Sequence, residues 1–142
     1  MSSPRDQAAA EPRPIIVIPA HDEQADIGRV LLGIREHCPH PVVVVDDLST
    51  DRTAECARAA GAIVLPLPVQ LGAWGATQAG MRYALRHGYD CVMTMDADGQ
   101  HEPVWIRRLM QPVFDRDADV TIGCCTDRGS RLRRIAWRIL KR

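Results

Sequence analysis

An α/β fold, with a mostly parallel sheet and helices on both of its faces, is the fold class that this sequence predicts. Short apolar runs rich in β-branched residues recur along the chain, and segments with apolar residues at helical spacing stand between them. Alternation of this kind is typical of parallel sheets, because the crossover between two parallel strands is usually a helix. The 142 residues are enough for one domain with a buried core.

The individual elements follow from where the apolar runs start and stop. Runs that end at proline, glycine or aspartate predict five strands, at residues 15–18, 42–45, 62–65, 91–95 and 119–123. Helical spacing predicts four helices, at residues 24–37, from a cap at 49–51 to residue 60, from a glycine-containing turn at 70–76 to residue 87, and at 103–114. Asp46 and Asp51 could either contact a ligand or act as turn or helix-cap residues, and the pattern favours the turn or cap role for Asp51.

Three parts of the chain differ in composition. Residues 1–14 are rich in proline, alanine and charge and are predicted to form a flexible lead-in, whereas residues 15–125 carry the alternating elements. Residues 126–142 contain seven of the 18 basic residues (Arg and Lys) but only one of the 18 acidic residues (Asp and Glu). Residues 1–125 therefore contain eleven basic and seventeen acidic residues. The segment 126–142 is predicted to be a basic amphipathic helix. A solvated face, an anionic membrane surface and a homo-oligomer contact are the open alternatives for it.

Cysteine usage and hydropathy exclude several classes of protein. Five cysteines without a C-x-x-C pair argue against a disulfide framework and a zinc site, and they suit a reducing cytoplasm. The first residues lack the apolar stretch of a signal peptide, and no run reaches the roughly twenty apolar residues of a membrane span. We therefore expect a cytoplasmic protein, at most peripheral to a membrane, with no nucleic-acid partner.

Acidic residues follow three of the predicted strands where each strand ends. Glu23 follows the first strand, Asp47 the second, and Asp96 and Asp98 the fourth. Because the carboxyl ends of parallel strands face one crevice, we expect these residues to surround a single ligand. Mg²⁺ and Mn²⁺ commonly combine one or two carboxylates with substrate phosphates. The sequence therefore predicts a divalent-metal site for a diphosphate at Asp96 and Asp98.

Four motifs stand in a fixed order along the chain. They are V-I-P-A-H-D-E at residues 17–23, V-V-D-D-L-S-T-D at 44–51, M-D-A-D-G-Q-H at 95–101 and A-D-V-T-I-G at 118–123. Their order and spacing resemble those of the family 2 glycosyltransferases. The form D-A-D-G-Q-H, together with G-M-R-Y-A-L at residues 80–85, most resembles the branch of dolichyl-phosphate mannose synthases and other polyprenyl-phosphate sugar transferases.

The resemblance implies the GT-A fold, a UDP- or GDP-sugar donor, and Mg²⁺ or Mn²⁺. It also implies an inverting transfer, which in this branch goes to a polyprenyl phosphate at a membrane surface. The residues that it implies in the site are Pro19, His21 and Glu23 for the nucleotide, Val45 and Asp47 for the base and ribose, and Asp96, Ala97, Asp98 and Gln100 for the metal and the diphospho-sugar. Asp96 and Asp98 are the implied metal ligands and catalytic residues.

The chain departs from the family pattern at several places. Leu48 stands where the pattern has glycine, Gln70 replaces an asparagine, Trp74-Gly75 replaces Gly-Ala, and Cys125 replaces an arginine. Family domains also normally continue further, with acceptor-binding elements, so this GT-A domain is C-terminally short. An alternative function is therefore a non-catalytic domain that binds a nucleotide sugar and transfers nothing.

Two other classes of protein share an acidic loop with this chain. A phosphatase of the haloacid dehalogenase type has its first aspartate near the start of the chain and Thr or Val soon after the glycine, whereas Gln100 follows here. An EF-hand has a helix before its acidic loop, whereas a strand is predicted here. The sequence disfavours both.

Overall fold

A computed structural model describes residues 12–123 of the chain. The first eleven residues, and the basic helix predicted at 126–142 with its membrane and oligomer contacts, lie outside the described residues. The elements are β1 (Pro14–Ala20), α1 (Ile27–His37), β2 (Val42–Asp46), α2 (Thr53–Ala59), β3 (Ile63–Pro66), α3 (Gly72–Arg86), β4 (Cys91–Thr94), a 3₁₀ turn (Pro103–Trp105) and α4 (Ile106–Phe114). The predicted alternation of strand and helix is confirmed through the first four strands.

The four strands form one parallel sheet in the order β3-β2-β1-β4. β1 lies between β2 and β4, and the register pairs Ile18 with Val44 and Val17 with Thr94. Because β1 and β2 are covered on both faces, their side chains form nearly continuous apolar, buried runs. The carboxyl ends of all four strands therefore open at the same edge of the sheet.

Helices cover both faces of this sheet, as predicted. Ile16 and Ile18 of β1 pack in one cluster with side chains of α1, α2 and α4, and Ile15 and Val17 pack in a second cluster with α3. Each of these fully buried side chains contributes roughly 1.5–3 kcal/mol through its removal from water. The two clusters thus fix the strand ends that carry the polar loops. Within residues 12–123, no helix has both the length and the hydropathy that crossing a bilayer requires.

β1 does not end at Pro19, as the sequence suggested, but continues to Ala20. Successive residues of a strand direct their main-chain groups to alternate neighbours. Val17 O accepts a hydrogen bond from Met95 N, and Ala20 O accepts one from Asp47 N, so odd-numbered residues of β1 face β4. The last residue of β4, Thr94, pairs with Val17, so no residue of β4 lies opposite Pro19. Pro19 lacks an N–H group, but no hydrogen bond between β1 and β4 is lost at this position.

The fifth strand predicted at residues 119–123 is wrong, because the structure assigns no strand to this segment. Val120 and Ile122, the alternating apolar residues behind the prediction, are 73% and 86% exposed. The Thr121 hydroxyl instead donates a 2.6 Å hydrogen bond to Leu109 O of α4. The alternation thus indicated a strand, but the described part of the chain supplies no sheet neighbour to pair with it.

Two helices begin later than predicted, since the residues before them are held in turns. α1 begins at Ile27 rather than at residue 24, and α2 begins at Thr53. Gln24 N donates to Asp51 Oδ2 at 3.0 Å, and Arg52 N donates to Gln24 Oε1 at 3.0 Å. The loops before the two helices therefore bind each other, which a reading of either segment alone does not predict.

Candidate functional site

A cleft of about 360 Å³ opens at the carboxyl ends of the strands. It is lined by residues of the loops after β1, β2 and β4 and by the start of α3, namely Pro19, Ala20, His21, Glu23, Asp47, Ala73, Asp96, Ala97 and Asp98. The predicted convergence of acidic loops at one edge of the sheet is therefore present. A second cleft, of about 420 Å³, lies near the amino ends of β2 and β3, and none of the predicted site residues lines it.

The loop after β4 presents two exposed carboxylates to the cleft. Gly99 adopts φ +73°, a left-handed conformation that glycine accepts readily, and this turn lets Gln100 N donate a 2.9 Å hydrogen bond to Asp98 Oδ1. His101 folds back onto Asp96, since its Nδ1 accepts a 3.2 Å hydrogen bond from Asp96 N. The imidazole proton is then on Nε2, which lies 3.7 Å from Asp96 Oδ2. The turn therefore holds both aspartates close to the strand end.

The loop after β1 is tied to the loop after β2 by hydrogen bonds. Asp22, at φ +54°, accepts a 2.7 Å hydrogen bond from Thr50 N through Oδ1. Glu23 N donates to the hydroxyl of Thr53 at 2.8 Å. Asp51 acts as a turn residue, as the sequence favoured, because its Oδ1 accepts a 2.8 Å hydrogen bond from Thr53 N. These contacts position Glu23 at the cleft.

Asp47 connects three segments around the cleft. Its side chain is buried, with 3% exposure, and its two carboxylate oxygens accept hydrogen bonds of 2.7 and 2.8 Å from Leu71 N and Gly72 N at the start of α3. A carboxylate at this place satisfies helix-terminal N–H groups and interacts favourably with the helix dipole. The carbonyl of Asp47 lies 2.9 Å from His21 Nδ1, which assigns the donor proton to that nitrogen. His21 Nε2 in turn lies 3.2 Å from the Gln70 amide nitrogen.

The charges in the cleft repel one another. Burial raises the pKa of Glu23 above its ordinary value of 4.5, and the nearby carboxylates of Asp98, Asp26 and Asp51 raise it further, against a smaller opposite effect of His21. Loops that are far apart in sequence therefore place carboxylates within electrostatic reach of each other. A cation between them would relieve this repulsion.

The residues of the cleft fit a divalent cation that takes some of its ligands from the protein and the others from a substrate. Among residues 12–123, no group of three His, Cys, Asp or Glu side chains is arranged as a metal site of protein ligands alone. Asp96 and Asp98 offer two hard carboxylate ligands at an open cleft, which is the donor set that Mg²⁺ and Mn²⁺ use when phosphate oxygens complete the coordination. Oxygen atoms of a substrate or of water would therefore have to complete a metal site at this position.

The structure brings together seven of the nine residues predicted in the site and places two elsewhere. Val45 and Gln100 do not line the cleft, and the Val45 side chain is fully buried against α3 in the core. Sequence reasoning missed Ala73, which lines the cleft, and the cross-link between Asp22 and Thr50. The D-D-x-S-T-D pattern contains Thr50, but no local signal indicates its partner 28 residues earlier.

The family model described as Glycosyl transferase family 2 matches residues 15–141 of the chain, which is most of its length. This chain belongs to glycosyltransferase family 2. The membership that the four motifs suggested is thus confirmed.

Curated relatives support the same family and one branch of it. The chain is 39% identical over 117 residues to an undecaprenyl-phosphate mannosyltransferase of Micrococcus luteus, a match that covers 78% of this chain and 47% of that protein. It is 32% identical over 144 residues to a polyprenol monophosphomannose synthase of Mycolicibacterium smegmatis, covering 95% of this chain and 54% of that protein. The chain therefore spans about half the length of these family 2 relatives.

Solved structures confirm the GT-A fold. The glucosyl-3-phosphoglycerate synthase of Mycobacterium tuberculosis, in complex with Mn²⁺, UDP and glucosyl-3-phosphoglycerate, superposes with a TM-score of 0.61 at 27% identity, over 72% of this chain and 40% of that one. A complex of the same synthase with Mg²⁺ and UDP gives a TM-score of 0.59 at 26% identity. These neighbours bind a nucleotide and a divalent metal.

Proposed function

We propose that this chain is the donor-binding part of a metal-dependent, inverting glycosyltransferase that uses a nucleotide-diphospho-sugar. The observation that carries the proposal is the cleft in which Glu23, Asp47, Asp96 and Asp98 meet at the carboxyl ends of the parallel strands. In open α/β sheets this edge is where ligands bind. The complexes of the mycobacterial synthase with Mn²⁺ or Mg²⁺ and UDP support a similar ligand set here.

The residues around the cleft divide between the two ends of such a donor. Pro19, His21, Glu23 and Asp47 would line the nucleotide side, with Val45 supporting it from the core beneath. Asp96 and Asp98 would hold Mg²⁺ or Mn²⁺ together with the diphosphate, and Ala97 would lie beside the sugar phosphate. Gln100 belongs to the same loop and would have to turn towards the cleft to reach it. A divalent cation, when bound, neutralises the charge that develops on the departing nucleoside diphosphate.

The acceptor that we propose is a polyprenyl phosphate. Its support is the naming of the relatives, two of which are a polyprenol monophosphomannose synthase and an undecaprenyl-phosphate mannosyltransferase. Such an acceptor arrives as an anion and attacks the anomeric carbon from the face opposite to the leaving diphosphate, which inverts that centre. An anionic nucleophile reduces the need for a general base.

A second candidate function is donor binding without transfer by the 142-residue chain. The observation that favours it is that the chain spans about half the length of the relatives named above. In that case the cleft would hold a nucleotide sugar, and no product would form in the absence of further acceptor-binding elements.

A panel of thermal shifts, followed by a transfer assay, tests both candidates. We expect the melting temperature to rise with UDP or GDP and Mn²⁺ together by more than with either component alone, because the cation and the diphosphate complete each other's contacts. The chain is then incubated with UDP- and GDP-sugars, Mn²⁺ and a polyprenyl phosphate. Glycolipid formation supports the transferase, and a nucleotide shift without product supports the binding domain. A panel in which no nucleotide shifts the transition would refute both.

A further inference from the structure

An apolar stripe runs along the outer face of α3. Trp74, Met81 and Leu85 are separated by seven and four residues, which places them within about 40° of one another around the helix. They are 71%, 39% and 76% exposed. The stripe extends over about 16 Å of the helix, at 1.5 Å per residue.

The stripe lies beside the face by which α3 packs on the sheet and is not part of it. Ala76, Thr77, Gly80 and Ala84 are buried, and α3 contacts β1, β2 and β4. Trp74, Met81 and Leu85 thus belong to neither of the two hydrophobic core clusters. In the part of the chain that the structure describes, these three large apolar side chains face solvent.

The charged side chains of α3 itself are of one sign. Arg82 and Arg86 are exposed beside it, and α3 contains no Asp or Glu. A helix that presents a tryptophan, aliphatic side chains and arginines on one face has the composition of helices that lie at membrane interfaces. Arginine side chains contribute binding free energy near anionic lipids, and tryptophan favours the headgroup region.

We propose that the outer face of α3, formed by Trp74, Met81, Arg82, Leu85 and Arg86, docks on an anionic lipid bilayer. This proposal rests on the proposed function, because it concerns how the acceptor reaches the donor site. Ala73, which is adjacent to Trp74, lines the cleft. A bilayer in contact with the start of α3 would therefore lie beside the mouth of the donor site, where the phosphate of a membrane-embedded acceptor is available.

Two other occupants fit the stripe less well. Residues 124–142 carry seven Arg and Lys against one Asp, so they would bring like charge to Arg82 and Arg86. The described chain also reaches its last residue, Gly123, beside Leu109 of α4, on the face of the sheet opposite to α3. A second copy of the chain would likewise place arginines against arginines across a two-fold axis.

The first test follows Trp74 alone. In a Trp105→Phe, Trp137→Phe chain, the tryptophan emission is measured with vesicles of equal parts phosphatidylcholine and phosphatidylglycerol, and with phosphatidylcholine alone. We expect a shift to shorter wavelength and quenching by brominated lipid with the anionic vesicles only. An unchanged spectrum on vesicles that bind the chain, or the absence of any vesicle binding, would overturn the proposal. The readout needs no nucleotide, so its failure leaves donor binding to be judged separately by calorimetry.

The second test compares matched variants in vesicle sedimentation. Arg82→Gln with Arg86→Gln should weaken binding about 25-fold, because each arginine at the surface contributes about a fivefold factor. Arg58→Gln with Arg107→Gln, at exposed positions of α2 and α4, should leave binding unchanged. Trp74→Gln with Leu85→Gln should weaken it, and Leu32→Gln, at a 56% exposed position of α1, should not. Equal losses in both sets, or a change of oligomeric state by light scattering in the stripe variant, would refute the assignment.

Discussion

Asp47 accepts a 2.7 Å hydrogen bond from the main-chain N–H of Leu71, 24 residues further along the chain. With the second bond to Gly72 N, this carboxylate satisfies two donors at the start of α3 from a buried position at the end of β2. The cleft and the packing of α3 therefore depend on one side chain.

Asp47→Asn should destabilise the fold and weaken nucleotide binding together. The amide keeps the shape of the carboxylate but directs an NH₂ group at one of the two N–H donors, which leaves that donor without an acceptor. We expect a loss of about 1–3 kcal/mol in the free energy of unfolding, measured in urea. UDP affinity should fall with and without Mn²⁺. Asp117→Asn, at an exposed position after α4, should change neither quantity, and equal behaviour of the two variants would show that the Asp47 contacts have no such role.

Glu23→Gln should become more stable relative to the wild type as the pH rises. The pKa of Glu23 is raised by burial and then by Asp98, Asp26 and Asp51. Since the pKa of Glu23 is higher in the folded state, the folded protein binds more protons than the unfolded protein at pH values between the two pKa values. The stability that this proton gives the wild type is lost as the pH rises through the folded pKa. The difference in unfolding free energy between Glu23→Gln and the wild type should therefore grow from about pH 4 to about pH 7.

The control for Glu23 is Glu36→Gln, at an exposed position of α1 away from the cleft. The pH trend should be specific to Glu23, because Glu36 does not face the carboxylates of the cleft. The same trend in both variants, or a gap that narrows as the pH rises, would contradict the electrostatic description of the site.

Leu48→Gly should be more stable than Leu48→Ala. Leu48 adopts φ +60°, a conformation that costs a residue with a Cβ about 1–2 kcal/mol and that glycine adopts without this cost. Both variants lose the same half-exposed side chain apart from one methyl group, so their difference isolates the backbone. We expect glycine to be favoured by roughly 0.5–1 kcal/mol in chemical denaturation.

Leu32, at an exposed position inside α1, gives the opposite expectation. Glycine there should be less stable than alanine by about 1 kcal/mol. If the glycine variant were less stable than the alanine variant at both positions, the backbone strain at Leu48 would be absent in solution.

Gly80→Ala should destabilise the protein, since α3 approaches the sheet closely at this residue. A Cβ at Gly80 would lie 2.3 Å from Val17 Cγ1 and 3.0 Å from Val45 Cγ2, both on fully buried valines. Overpacking of this kind costs about 1–3 kcal/mol. Gly28→Ala in α1, where a Cβ would have no neighbour within 4 Å, should instead be neutral or stabilising by up to about 1 kcal/mol. Urea denaturation of both variants checks the contrast, which equal effects would contradict.

Local pattern was sufficient to predict most of the fold and the convergence of the acidic loops. The valine run of β2 and the isoleucine-rich run of β1 are short and β-branched, which favours buried parallel strands, and the carboxyl ends of such strands share an edge. The failures concern partners distant in sequence. Whether Val120 and Ile122 form a strand depends on a neighbouring strand, and the start of α1 depends on Gln24 binding Asp51 from another loop.

The same reason explains what the sequence missed in the site. An aspartate after a strand is equally compatible with a ligand contact and with a helix cap, and only the position of Leu71 and Gly72 shows that Asp47 caps α3. The resemblance to family 2 placed Val45 in the site, where the structure has its side chain in the core. Residue type thus predicts what chemistry is available, whereas the fold decides which atoms are still accessible to a ligand.

Calorimetric titration of UDP and GDP into the wild type, Asp98→Asn and Asp117→Asn, each with and without Mn²⁺, tests most directly whether the cleft carboxylates hold a cation with a diphosphate. We predict that Mn²⁺ strengthens nucleotide binding in the wild type and in Asp117→Asn, and that Asp98→Asn loses this metal-dependent gain while its circular dichroism spectrum is unchanged. Mn²⁺ and nucleotide affinities in Asp98→Asn equal to those of the wild type would contradict the assignment of this cleft as a metal–diphosphate site.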